Sequence, residues 1–432
     1  MSPTRPQYAA VSAAGTLIAV AIWGVLHITA GSTPVAQSKP TSTTAETVTA
    51  TSLATSTTAS TTSPTRPTST SVVPVATSAD VAPNVYSATS RLQPGIAGDL
   101  PRVYVPSGLA NTLTVIDQQS KKVVSTFRPG SNPQHVVPSY DLHTLWILNN
   151  KGNTVVPITA ATGAVGPPIP VSDPYNLYFT PDGKSAIVVA EKFARLDFRD
   201  PYTMKLQSSL AVRGCTGINH ADFSADGSYM IVTCEFAGKV AKIDMLQHKV
   251  VGLLALQAPV HTAAKHMAMT AMPQDIRLAP DGKRFFVADM AGGGLHILDG
   301  DSFTEIGFIP TGVGAHGITP SHDGTKVYVS NRGWATMAAG SKGPGSVSVV
   351  DVATDEVIDT WPVPGGGSPD MGNLTADGKE LWLSGRYDAE VYAFDTATGQ
   401  LIARIPVATG PHGLTVWPQA GRYSLGHTGN MR

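Results

Sequence analysis

Hydrophobic and polar positions along the chain fall into three regimes. Ala9 to Ala30 (AAVSAAGTLIAVAIWGVLHITA) is apolar or small throughout and carries no formal charge. Gly31 to about Arg91 is dominated by Thr, Ser, Ala and Pro and has no hydrophobic periodicity. From Arg102 onward, short runs of β-branched and aromatic residues alternate with clusters of Gly, Pro, Asn and Asp. Closely spaced strands and turns give that pattern.

The third regime repeats itself. An apolar lead segment runs into a turn, commonly Asp-Gly, and then into a second apolar strand. The lead segments are Pro133–Asp141, Pro174–Gly183, Ile218–Gly227, Pro273–Gly282, Ala315–Gly324 and Pro369–Gly378, with a seventh at Pro411–Gly421. Asp141 to Asp182 is 41 residues and Asp182 to Asp226 is 44, the period of a four-stranded propeller blade. Glycine supplies the positive φ that a short hairpin turn needs. A third strand ends in Asp (TLTVID, KVAKID, GLHILD, SVSVVD, EVYAFD), and a fourth follows (VVSTF, VVGLL, EIGFI, VIDTW, LIARI). Seven lead segments and four strands per unit predict an all-β, seven-bladed β-propeller over residues 101–432. The chain enters at Arg102–Ser107 without a lead segment, and the last lead segment has no blade of its own. Pairing the two closes the ring and hides both sheet edges. Gly421–His427 competes for the same slot, so its place is open.

The grammar resembles the YVTN-type (YncE-like) β-propeller repeat family. HGITPSHDGTKVYVSN (His316–Asn331) and PHGLTVWP carry the resemblance most closely. It covers about Arg102 to Arg432 and is specific for fold, since propellers host unrelated activities.

The first two regimes place the propeller. A helix of about 22 residues spans roughly 33 Å, enough for a bilayer core. Residues 1–31 are therefore expected to be a signal anchor or a cleaved signal peptide. Residues 32–100 are expected to be a disordered Ser/Thr/Pro-rich linker, which cannot bury a core. Both readings put the propeller outside the cytoplasm, held at the cell membrane by a single span or secreted after cleavage.

Composition narrows the function. Lys+Arg is 30 and Asp+Glu 31, giving a net charge of −1, so nucleic acid is not an expected partner. Two cysteines exclude a four-cysteine metal site. Cys215 and Cys234 flank one predicted hairpin, and an oxidising compartment favours a disulfide there. No G-x-S-x-G, H-E-x-x-H or Gly-rich phosphate loop occurs, so no catalytic residue is assigned.

Candidate binding residues lie where the innermost strands begin, on the face propellers usually use for ligands. The second position of the lead segments reads Gln134, Tyr175, Asn219, Gln274, His316, Asp370 and His412. The third reads His135, Asn176, His220, Asp275, Gly317, Met371 and Gly413. Strand alternation predicts that only one of these columns lines the channel over most of its length. The ends of the second strands add Glu191, Glu235, Arg332 and Arg386, giving the mouth an acidic and a basic half suited to a polar or zwitterionic ligand. Two insertions break the period on this face, at Gln257–Met272 and Gly333–Gly345. In the first, His266, Met267, Met269 and Met272 offer the imidazole and thioether donors that suit copper, or else pack as a lid.

The sequence reads first as a non-catalytic binding module for a small molecule or protein. An alternative is an enzyme or cofactor binder at the same face, since propellers that look related include lactonases and the haem-binding propeller of nitrite reductases. His135, His220, His316 and His412 would then be bases or axial ligands of haem or copper. A second alternative is a structural or adhesive cell-surface protein.

Overall fold

The computed structural model describes residues 84–257, 270–337 and 342–432. The expected signal anchor and residues 32–83 of the expected linker lie outside them. No helix among the described residues is long and apolar enough to cross a membrane.

The turn aspartates set the hairpins. Asp182 accepts from the Thr180 hydroxyl at 2.7 Å and the Lys184 amide at 3.1 Å. Asp226, Asp323 and Asp377 repeat that pair of contacts. In blade 2, whose turn lacks Asp-Gly, Leu142 takes the left-handed conformation at φ 66°, with its side chain buried in compensation. The strand-end aspartates cap the next turn: Asp117, Asp244, Asp299, Asp351 and Asp395 each accept backbone amides two or three residues on, the Asx-turn geometry.

These hairpins build seven four-stranded antiparallel sheets. Blades 2 to 7 are each consecutive in sequence, and their inner strands are Pro133–Pro138, Pro174–Phe179, Ile218–Phe223, Pro273–Leu278, Ala315–Pro320 and Pro369–Leu374. Blade 1 is composite. Its inner strand, Thr415–Trp417, pairs antiparallel with Arg102–Tyr104 from the start of the domain. The apolar core lies mainly between neighbouring blades. One cluster joins blades 3 and 4 through Phe198, Phe223 and Met230, and another joins blades 6 and 7 through Trp361, Leu381 and Phe394. The outermost strands alternate half-buried and exposed positions, as in Lys249–Ala255.

Past Trp417 the chain crosses the Asp-Gly-turn face and turns up into the channel. The Phe179 amide donates to the Leu425 carbonyl at 3.0 Å, and the His427 amide to the Leu177 carbonyl at 2.8 Å. The tail therefore competes with no strand for blade 1. It pairs with the free inner edge of blade 3. Gly426 (φ 103°) makes this possible, because a Cβ there would overlap the Leu177 carbonyl and the Tyr178 Cα. Arg432 then binds Asp222 at 2.9 Å, where it also lies over the Tyr86 ring. Residues 84–100 pack beside it, and Trp417 donates to Asp99 at 2.8 Å.

Cys215 and Cys234 are joined by a disulfide across the blade 4 hairpin, with Cα atoms 4.7 Å apart and a sequence separation of 19. Replacing both by Ala is expected to cost about 2–3 kcal/mol in denaturant unfolding, because the closed loop is short. Gly426→Ala is expected to cost about 1–3 kcal/mol from its backbone conformation alone. In hydrogen exchange the loss should concentrate in the Phe179 and His427 amides.

Candidate functional site in the central channel

Each inner strand of blades 2 to 7 breaks register immediately after its first residue. The shifts fall at Pro133/His135, Pro174/Asn176, Ile218/Ala221, Pro273/Ile276, Ala315/Ile318 and Pro369/Gly372. A bulge re-aims the side chains at the strand start. This corrects the expectation that alternation would leave one column in the channel: His316 and His412 from the second column meet His135 and His220 from the third.

A fifth histidine, His427, reaches them from the tail. Ring centroids lie 4.8 Å apart for His135–His412 and for His220–His427, 5.5 Å for His135–His427, 5.6 Å for His135–His220 and 5.7 Å for His316–His412. All five are at most 2% exposed. Close approach is allowed by Gly413, where a Cβ would overlap the His135 ring. Burial pushes His135 and His316 down to about 4 and the other three well below the usual histidine value. The cluster is neutral at physiological pH.

One wall of the cluster is an ion network. Arg332 donates from Nε to Asp370 at 3.0 Å and lies 2.8 Å away through Nη2. His412 Nδ1 donates to the other Asp370 oxygen at 2.7 Å, which leaves its Nε2 to accept from the Tyr175 hydroxyl at 3.3 Å. His316 Nδ1 is 2.8 Å from Asp370 but off the line of a hydrogen bond. Burial disfavours the Asp370 carboxylate, yet Arg332, His316 and His412 hold it well below the usual range. Tyr175, His412 and Asp370 thus form a hydrogen-bonded chain. Burial, with Glu191 and Glu235 nearby, keeps the tyrosine protonated, well above 10. Its hydroxyl donates to His412.

Above the cluster, at the mouth, stand two carboxylates. Burial raises Glu191 to about 7, with Glu235 and Asp173 adding to the effect. Glu235 is 5% exposed and raised by burial. Asn219 donates to its Oε2 at 3.2 Å, and its Oε1 has no partner among the described residues. Neither glutamate has a salt bridge among the described residues. Arg386 is half-buried across the mouth, and its charge lowers the glutamates and the histidines alike.

Residues 262–422 match the family model described as YNCE-like beta-propeller. That is the resemblance the repeat grammar carries. No curated protein matches the chain. Among solved structures, a functionally unknown protein from Desulfotomaculum acetoxidans is 15% identical with a TM-score of 0.57, over 73% of this chain and 98% of that one. A putative 6-phosphogluconolactonase from Bacteroides uniformis is 18% identical with a TM-score of 0.56, over 73% and 99%. The dihydro-heme d1 dehydrogenase NirN is 14% identical with a TM-score of 0.53, over 76% and 77%. At such identities these structures show the fold alone.

The propeller divides the sequence-derived candidates into three groups. His135, Asn176, His220, Asp275, His316, Asp370 and His412 converge in the channel interior. Asn176 contacts His220 at 3.1 Å, and Asp275 pairs with Arg277 at 3.1 Å. Glu191, Glu235 and Arg386 stand at the mouth. Arg332 is 1% exposed and spent on Asp370, so the basic half reduces to Arg386. His266, Met267 and Met269 lie outside the described residues. Met272 is half-buried, and its backbone is held by Asp289. Sequence reasoning missed His427, which belongs to no repeat copy; its only signal is a lone histidine in a Gly-flanked segment (SLGHTGN).

The buried histidines make stability depend on acid. Their folded values lie below the unfolded one of about 6.5, so the unfolded chain takes up protons first as pH falls. The stability present above pH 6.5 is lost toward pH 4, at up to about 1.4 kcal/mol per pH unit for each histidine. Urea unfolding at pH 7.5 and 5.0 should show this loss, and His316→Gln should reduce it.

Proposed function

We propose that this YncE-like propeller is a non-catalytic binding module that takes a small polar ligand with a cationic group at its channel mouth. The observation that carries the reading is the pair Glu191 and Glu235. Two carboxylates are partly or fully removed from water and have no salt bridge among the described residues, at the end of the axis where the innermost strands begin. Such groups are costly unless paired, and a ligand amine supplies the missing charge. Arg386 across the mouth suits a carboxylate on the same ligand.

In the cell, the apolar run at Ala9–Ala30 and the Ser/Thr-rich linker tether the module outside the cytoplasm. The described chain begins at Asn84 against the Asp-Gly turns, with its side chain donating to the Asp323 carbonyl at 3.0 Å.

Calorimetric titration with small amines and amino acids tests the site. Binding is expected to strengthen as pH rises through about 7, because Glu191 then ionises. Glu235→Gln should weaken binding about tenfold or more, the equivalent of roughly 1.4 kcal/mol for a charge-assisted contact. Equal affinity of wild type and Glu235→Gln at pH 8 would refute the reading.

A further inference from the structure

We propose that His135, His220 and His427 form a binding site for one divalent transition-metal ion of the zinc or cobalt(II) kind, inside the channel below the mouth. One ring nitrogen from each lies within 4.8 Å of the others, and all three residues are buried. In each ring the Nε2 atom is buried without a hydrogen-bond partner among the described residues. Three inward-facing nitrogens without partners are unfavourable in a packed interior. An ion satisfies all three at once.

The geometry is close to what ligation needs. Zinc–imidazole bonds are about 2.0–2.1 Å. An ion in the plane of three nitrogens at most 4.8 Å apart requires each ring to move inward by at most about 0.7 Å. Ligation through Nε2 puts the remaining ring proton on Nδ1, where an acceptor fixes the ring. His135 already has one, the Tyr175 carbonyl at 2.8 Å. For His427 it is the Thr428 hydroxyl at 3.0 Å, taken in place of the Thr428 amide that now faces Nδ1. His220 Nδ1 now faces the Asn176 amide nitrogen at 3.1 Å, so ligation there requires the Asn176 amide to flip and release its oxygen from the Leu177 amide. Asp275 lies 3.3 Å from His427 Nε2, out of hydrogen-bond alignment, and brings negative charge to the cation. An all-nitrogen ligand set favours borderline ions over soft copper(I). This site shares no ligand with the Met-rich insertion, and it does not depend on what binds Glu191 and Glu235.

The tail makes the site conditional. His135 and His220 come from blades 2 and 4, whereas His427 arrives only when the tail is paired along blade 3. Metal binding and tail docking should therefore support each other.

Cobalt(II) titration of the full chain, stripped by chelator and followed by visible absorption, tests the proposal at pH 7.5. Wild type should bind one equivalent with the ligand-field bands of a four- or five-coordinate nitrogen site, and zinc should displace it. His427→Gln and His220→Gln should each weaken binding by more than about tenfold, since changes to outer-shell partners alone cost 10- to 100-fold. Gly426→Ala, which leaves every ligand in place but disturbs the tail, should weaken it too. Glu235→Gln should leave the bands unchanged. No ligand-field band in wild type, or full binding retained by both histidine variants, would overturn the site, whatever the folding of any one variant.

Discussion

The whole propeller rests on one antiparallel contact, that of Thr415–Trp417 with Arg102–Tyr104. Seven sheets arranged in a ring leave two unpaired edges unless the ends of the domain share a blade. Sharing it joins residues more than 300 apart in sequence, counted from Arg102 to Trp417. The ring that results brings the starts of all the inner strands to one axis, and that convergence creates the site. Trp417 is wholly buried at this contact and is tied by its indole to Asp99. The C-terminal strand is thus locked against the segment that leads into the domain.

Once the ring is closed, the electrostatics of the axis follow from burial. Five imidazoles within a few ångströms could not all be charged, and burial holds them neutral. The ion network of Asp370 with Arg332 in their midst is satisfied by several hydrogen bonds. That is the condition under which a buried pair is tolerable. Among the described residues, the buried polar atoms without partners include Glu235 Oε1 at the mouth and the Nε2 atoms of His135, His220 and His427 beneath it.

The fold was legible because its grammar is local. Each Asp-Gly turn, each strand-end Asp and each β-branched run is read from a few adjacent residues, and repetition supplies the blade count. The site was legible only in part. The second and third positions of the repeat pointed to His135, His220, His316 and His412, but alternation wrongly split them between two faces. The bulge after the first residue of each inner strand depends on pairing with the second strand and on packing around the axis, which no single segment encodes. His427 and the arginine economy were hidden for a related reason. Arg332 and Arg386 occupy equivalent repeat positions, and only the three-dimensional neighbourhood of Asp370 shows that one is consumed and the other free.

The tail has a consequence for traffic through the molecule. Gln419, Thr428 and Asn430 are buried across the turn-face end of the axis, held to Asn373, Thr415 and Asp222. A propeller axis open at both ends is a conduit; with one end stoppered it becomes a blind well. Whatever enters must leave by the way it came, past Glu191 and Arg386. For the ligand proposed above, entry and exit would then share a single mouth.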